Sequence, residues 1–148
     1  MGKLLIKKND DDIYRLEIND DGDYIDFDLT DMGLASRMIK ASQNIVDICR
    51  NYVSEVTELS QKYPEESDEL SQKIVDLEIR TADAMEVAYD SWMGKGTCKK
   101  IFGDKKSYQQ YVDLAEALQE HYDKMHIQVA KAKKKLANKY LKIKEEIL

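Results

Sequence analysis

Several groups of residues have the types and spacing from which chemistry is often built. Glu17, Asn19, Asp21 and Asp23, with Gly22 among them and Asp28 beyond, approach a calcium loop, where oxygen ligands alternate around a sixth-position glycine. Here the first ligand is Glu rather than Asp, the twelfth is Asp rather than Glu, and strand-like runs flank the segment. An acidic hairpin turn is the better reading. Gly94-Lys95-Gly96-Thr97 has the look of a phosphate loop, but that motif needs an earlier glycine and a buried strand before it, and here a helical pattern precedes. Helix capping by the glycines and Thr97 is the expectation. His121 and His126 stand five apart, about 140° around a helix, so they do not form an i, i+4 zinc pair. Cys49 and Cys98 lack a pairing pattern and are expected as reduced thiols. No nucleophile motif is present, and neither catalysis nor a cofactor or metal is expected.

The last candidate is electrostatic. Residues 131–144 hold seven lysines, and Val129, Leu136, Tyr140, Ile143 and Ile147 recur among them at helical spacing. A lysine run invites a nucleic-acid reading, but the chain has a pI of about 5.0 and no arginine after residue 80. A membrane-surface helix would carry bulkier apolar residues. The expectation is a protein-docking surface made of that apolar stripe with Lys133, Lys134 and Lys135 on its flank. Its counterpart would be an acidic helical partner or the acidic N-terminal part of another copy, making a homo-oligomer. The charge split agrees: residues 1–94 carry 22 acidic and 10 basic side chains, residues 95–148 carry 7 and 13.

The elements that position these groups are legible from periodicity. Tyr14, Leu16 and Ile18 alternate with charged residues, and so do Ile25, Phe27 and Leu29, around Asp21-Gly22. That pattern predicts a β-hairpin, with Leu4–Ile6 as a third short strand. From Thr30 or Asp31, an apolar stripe runs Leu34, Met38, Ala41, Ile45, Ile48, Tyr52, Val56, Leu59, Tyr63, and Pro64 ends it. A second helix follows Ser67 with Leu70, Ile74, Leu77, Ala84, Ala88 and Trp92 inward. Gly94, Gly96 and Gly103 bracket a short helix at an elbow, pinned by Trp92 and Phe102. Ser107 starts a third long helix whose stripe includes Tyr108, Tyr111, Ala115, Leu118, Tyr122 and Met125. The predicted fold is mainly α: an N-terminal hairpin (1–30) on a bundle of three long helices (31–128), with a basic amphipathic extension (129–148), in one domain. No signal peptide and no run long enough for a membrane span is read, so a soluble, intracellular protein is expected.

Tyr24-Ile25-Asp26-Phe27-Asp28-Leu29-Thr30-Asp31, a long helix, then Gly94-x-Gly96-Thr97-x-x-Lys100-x-Phe102-Gly103-Asp104 and Leu114-Ala115-Glu116-Ala117-Leu118 follow one another in this order. The arrangement resembles tail assembly chaperones of long-tailed bacteriophages and prophages of Gram-positive hosts, over roughly residues 22–122. The resemblance implies a non-enzymatic helper in the host cytoplasm that binds the tape-measure or tail-tube protein. The longer hairpin and the lysine-rich extension depart from that pattern. A structural helical oligomer or adaptor is the alternative, and a nucleic-acid accessory the weaker third.

Overall fold

The computed structural model describes the backbone of residues 1–7 and 9–147, and their side chains except those of 127–133, 135–136, 139–140 and 142–147. In chain order it contains a 3-10 turn (Asp10–Asp12), strands β1 (Ile13–Glu17) and β2 (Tyr24–Asp28), and helices α1 (Met32–Lys62), α2 (Asp68–Met93), α3 (Thr97–Phe102) and α4 (Tyr108–Ile147). The fold is mainly helical with an N-terminal hairpin, as the patterning predicts. The third strand is not formed among the described residues: Leu4, Leu5 and Ile6 are each more than three-quarters exposed, and the sheet has two strands. Three apolar residues without a facing edge have nothing to pair with.

The hairpin is antiparallel, with Tyr14 opposite Phe27 and Leu16 opposite Ile25. That register puts the apolar set on one face, and Leu16, Phe27 and Leu29 are buried. Arg15 and Asp26, opposite on the other face, form a two-point ion pair at 2.8 and 3.0 Å. The turn is closed by Asn19, whose Oδ1 accepts from the N–H groups of Asp21 (3.0 Å) and Asp23 (3.2 Å), with Gly22 at φ 87°.

Helix boundaries follow capping chemistry. Asp31 Oδ1 accepts from Gly33 N at 2.8 Å to start α1. Tyr63, restricted by Pro64, ends it. Ser67 Oγ accepts from Leu70 N at 3.1 Å to start α2, and Ser107 Oγ accepts from Gln110 N at 3.1 Å near the start of α4.

Helices α1 and α2 form an antiparallel pair, bridged by Tyr52–Glu78, Glu55–Arg80 and Tyr63–Glu69. Contacts advance together along α2 and α4, from Glu78 with Tyr108 to Tyr89 with Tyr111 and Trp92 with Tyr122, so those two run the same way. The core lies at one end, where the hairpin, the C-terminal half of α2, α3 and the first half of α4 meet the start of α1. Phe27 stacks on Trp92 there with centroids 5.5 Å apart, and Tyr122 meets Trp92 at a tilt of 42° and 5.8 Å. Away from this end, no residue from 42 to 76 is buried. Half of the α1–α2 pair is thus an arm that, among the described residues, no third element covers.

The structure corrects three inward assignments, two of them by this division. Val56 and Ile74 are exposed, because on the arm nothing packs over them. Ala115 is exposed, and Leu114 faces the core in its place. The α2 stripe also includes the buried Met85 and Tyr89.

Candidate functional site

At the elbow, four predicted residues act together around one that the motif reading passed over. The Asp90 carboxylate accepts from Gly96 N through Oδ2 and from Cys98 N through Oδ1, each at 3.0 Å, while its backbone carbonyl accepts from Gly94 N at 3.0 Å. One side chain therefore caps α3 from the preceding helix. Gly96 is the N-cap, in the left-handed region at φ 85°, and Gly94 takes φ 115°. Thr97 does not cap α3. Its hydroxyl donates back to the Met93 carbonyl at 3.3 Å, because Asp90 already holds the N–H groups that a cap would take. The Gly94–Thr97 segment is thus a helix-to-helix joint. Gly103 at φ 63° closes α3, and Phe102 meets Tyr111 edge to face at 5.2 Å. Trp92 is buried, but its ring partners are Phe27, stacked, and Tyr122, tilted, so it anchors the hairpin and α4.

Glu78 is the second residue that sequence reasoning missed. Its Oε1 accepts from the Tyr52 hydroxyl and its Oε2 from the first N–H of α4, at Tyr108, both at 2.7 Å. A carboxylate at that N-terminus is favoured by the helix dipole, and here it ties three helices at one level. Tyr52 and Tyr108 stack beside it with centroids 3.8 Å apart. Burial, with the bond to Glu78, pushes the Tyr52 hydroxyl up to about 12, and burial also raises Tyr108 to about 12.

The other candidates are dispersed. Asn19 Nδ2 donates to Asp23 Oδ2 at 2.8 Å and to the Lys100 carbonyl at 3.2 Å, joining the hairpin turn to α3. His121 Nδ1 is hydrogen-bonded to the Tyr14 hydroxyl at 2.5 Å, whereas His126 is exposed. Cys98 is buried and Cys49 half-buried, both as free thiols, and burial pushes Cys98 far above the ordinary thiol range. Among the described residues, no group of three or more His, Cys, Asp or Glu is arranged to hold a metal ion. No described helix is long and apolar enough to cross a membrane.

Of the proposed docking residues, Lys134 is exposed, while the side chains of Val129, Leu136, Tyr140, Ile143, Ile147, Lys133 and Lys135 lie outside the described residues. Two other surfaces stand out. One is a stripe on α1, Met32, Ile39, Val46 and Val53, at seven-residue spacing and 47–61% exposed. A row of that period is one of the two apolar rows that a helix–helix seam uses; the positions four on, Ser36, Gln43, Arg50 and Thr57, are polar. The second is a groove of about 250 Å³ along the arm, lined by Tyr52, Val56, Leu59, Tyr63, Leu70 and Ile74.

Fold and surface together define a small hairpin-capped helical protein with open helical seams. Residues 21–146 match the model of a family of unknown function, DUF6673, and the chain belongs to that family. No curated protein and no solved structure matches the chain.

Proposed function

We propose that this chain is a non-enzymatic binding module for a long helical partner, of the tail assembly chaperone kind, and that the partner is a tape-measure or tail-tube protein. The observation that carries the helical partner is the α1 stripe. Met32, Ile39, Val46 and Val53 form one exposed apolar row at heptad spacing, half of what a full coiled-coil seam carries, on which a partner helix can lie. The phage context rests on the likeness of Tyr24–Asp31 and Gly94–Asp104 to those chaperones. Binding would leave the elbow untouched, since Asp90 and the glycines there serve to set α3 and α4 against α2.

The test is co-expression of the full chain with the protein products of the flanking genes, followed by co-purification. A tape-measure or tube protein is expected to be retained, and Ile39→Glu with Val46→Glu is expected to release it without changing the far-ultraviolet circular dichroism. Retention that survives both substitutions would move the partner off α1. Failure to retain either protein would overturn the chaperone reading.

A further inference from the structure

We infer that α4 of one copy docks its C-terminal length into the open groove of the α1–α2 arm of a second copy, so that the chain associates head to tail. This does not rest on the partner proposed above, because it uses neither the α1 stripe nor any phage protein.

The arm lacks one helix. In the compact half, α4 lies against the α1–α2 pair; at the level of Tyr52 and Glu78 it begins, and from there it runs away from the arm. The groove starts at those same two residues and continues to Tyr63 and Pro64, apolar along Val56, Leu59, Leu70 and Ile74. A helix placed in it would extend the three-helix packing past the N-terminus of α4. The chain's own α4 cannot supply that helix. Its last buried residue among those described is Met125, and beyond it Lys134, Ala137, Asn138 and Leu141 are exposed. Residues 126–147 therefore leave the bundle at the opposite end, over about 33 Å at ~1.5 Å per residue.

Charge selects this occupant. Arm residues 53–78 carry eight acidic and two basic side chains, and residues 126–147 carry seven lysines and two glutamates. Register agrees with it. Entering in the direction of α4, an incoming helix that brings Ile147 level with Tyr52 brings residue 136 level with Tyr63, eleven residues away on each helix. Lys131, Lys133, Lys134 and Lys135 then fall at the level of the arm tip, where Glu65, Glu66, Asp68 and Glu69 are exposed. The incoming C-terminus meets the N-terminus of α4, an arrangement that aligns the two helix dipoles.

The experiment is light scattering after size exclusion on three full-length chains, with circular dichroism as the control for folding. The first is the native chain; the second carries Val56→Glu and Ile74→Glu, which block the groove at residues already exposed in the single chain. The third carries Lys131→Glu, Lys133→Glu, Lys134→Glu and Lys135→Glu. The native chain is expected to exceed 17.2 kDa, with a mass that rises with concentration and falls with added salt. Each variant alone is expected at the single-chain mass. An equimolar mixture is expected to stop at twice that mass, since one chain keeps only its groove and the other only its tail. A native chain that stays single at every concentration overturns the inference. So does association that either variant leaves intact, or a mixture that does not pair.

Discussion

At the scale of residues, two carboxylates do more than their positions announce. Asp90 holds two N–H groups of the elbow, and hydrogen bonds to a charged acceptor contribute about 1.5–3 kcal/mol each. Asp90→Ala is expected to destabilise the fold by roughly 2–4 kcal/mol in chemical denaturation, and a loss under about 0.5 kcal/mol would show that α3 does not need its cap. Gly96→Ala tests the same joint from the backbone. A Cβ there meets nothing within 4 Å, so the cost is that of φ 85° alone, about 1–2 kcal/mol. Neither carboxylate was legible beforehand. Gly94, Gly96 and Gly103 are visible as punctuation, but the acid that satisfies the freed N–H groups sits a turn earlier inside α2, where nothing in a helical pattern distinguishes it from a solvated one. The ordinary assignment of Thr97 as a cap failed for that reason. Glu78 was hidden similarly, because its two partners come from helices remote in sequence.

Alkaline titration reads the same residues from another side. Tyr52, Tyr108 and Tyr122 each stand at about 12 against an ordinary 10.0, chiefly because burial disfavours the phenolate. A raised folded value favours the protonated form, so this stability is complete below the unfolded value near 10 and is lost as pH rises through about 12. Melting temperature is expected to hold to about pH 10 and then to fall between pH 10 and 12, with tyrosinate absorbance rising in the same interval. Tyrosinate formation that is complete before any loss of structure would place these hydroxyls in solvent.

At the scale of elements, the hairpin depends on aromatic stacking with α2. An isolated two-stranded sheet is marginal in water, and this one buries Phe27 on Trp92. Trp92→Ala is expected to cost about 3–5 kcal/mol, and Phe27→Ala a similar amount. The double variant is expected to cost less than the sum, since each single change already removes the stack. Strict additivity would mean that the rings pack independently. Elements with a strong period were legible in full: both strands, α1, α2, and the start of α4 at Ser107. Two of the errors on the helices lie where periodicity is blind to a missing neighbour. Val56 and Ile74 continue the buried stripe in sequence, yet no element lies over them, and a stripe of Ile and Val at positions 39, 46 and 53 faced outward unnoticed beside it.

At the scale of the whole molecule, the parallel course of α2 and α4 places an apolar groove in an acidic arm at one end and a lysine-rich helix at the other. The groove is built from residues predicted to face inward, Tyr52, Val56, Leu59, Tyr63, Leu70 and Ile74, whereas the exposed row on α1 was not predicted. A docking face has no signature in one chain's periodicity beyond surplus apolar residues, whereas the charge split between the two parts of the sequence was visible from the start.

The uneven placement of burial also decides what a spectroscopist would see. The single tryptophan, Trp92, lies in the compact end, while residues 42–76 are helical for most of their length without one buried side chain. Local opening follows buried contact, so amide protons of the arm are expected to exchange well before those of residues 82–93 and 111–118. Fluorescence reports the compact end, and helical dichroism sums over both. The two probes are therefore expected to trace different transitions in dilute denaturant, dichroism declining first, and a single midpoint read from Trp92 would describe half of a protein that melts in two stages.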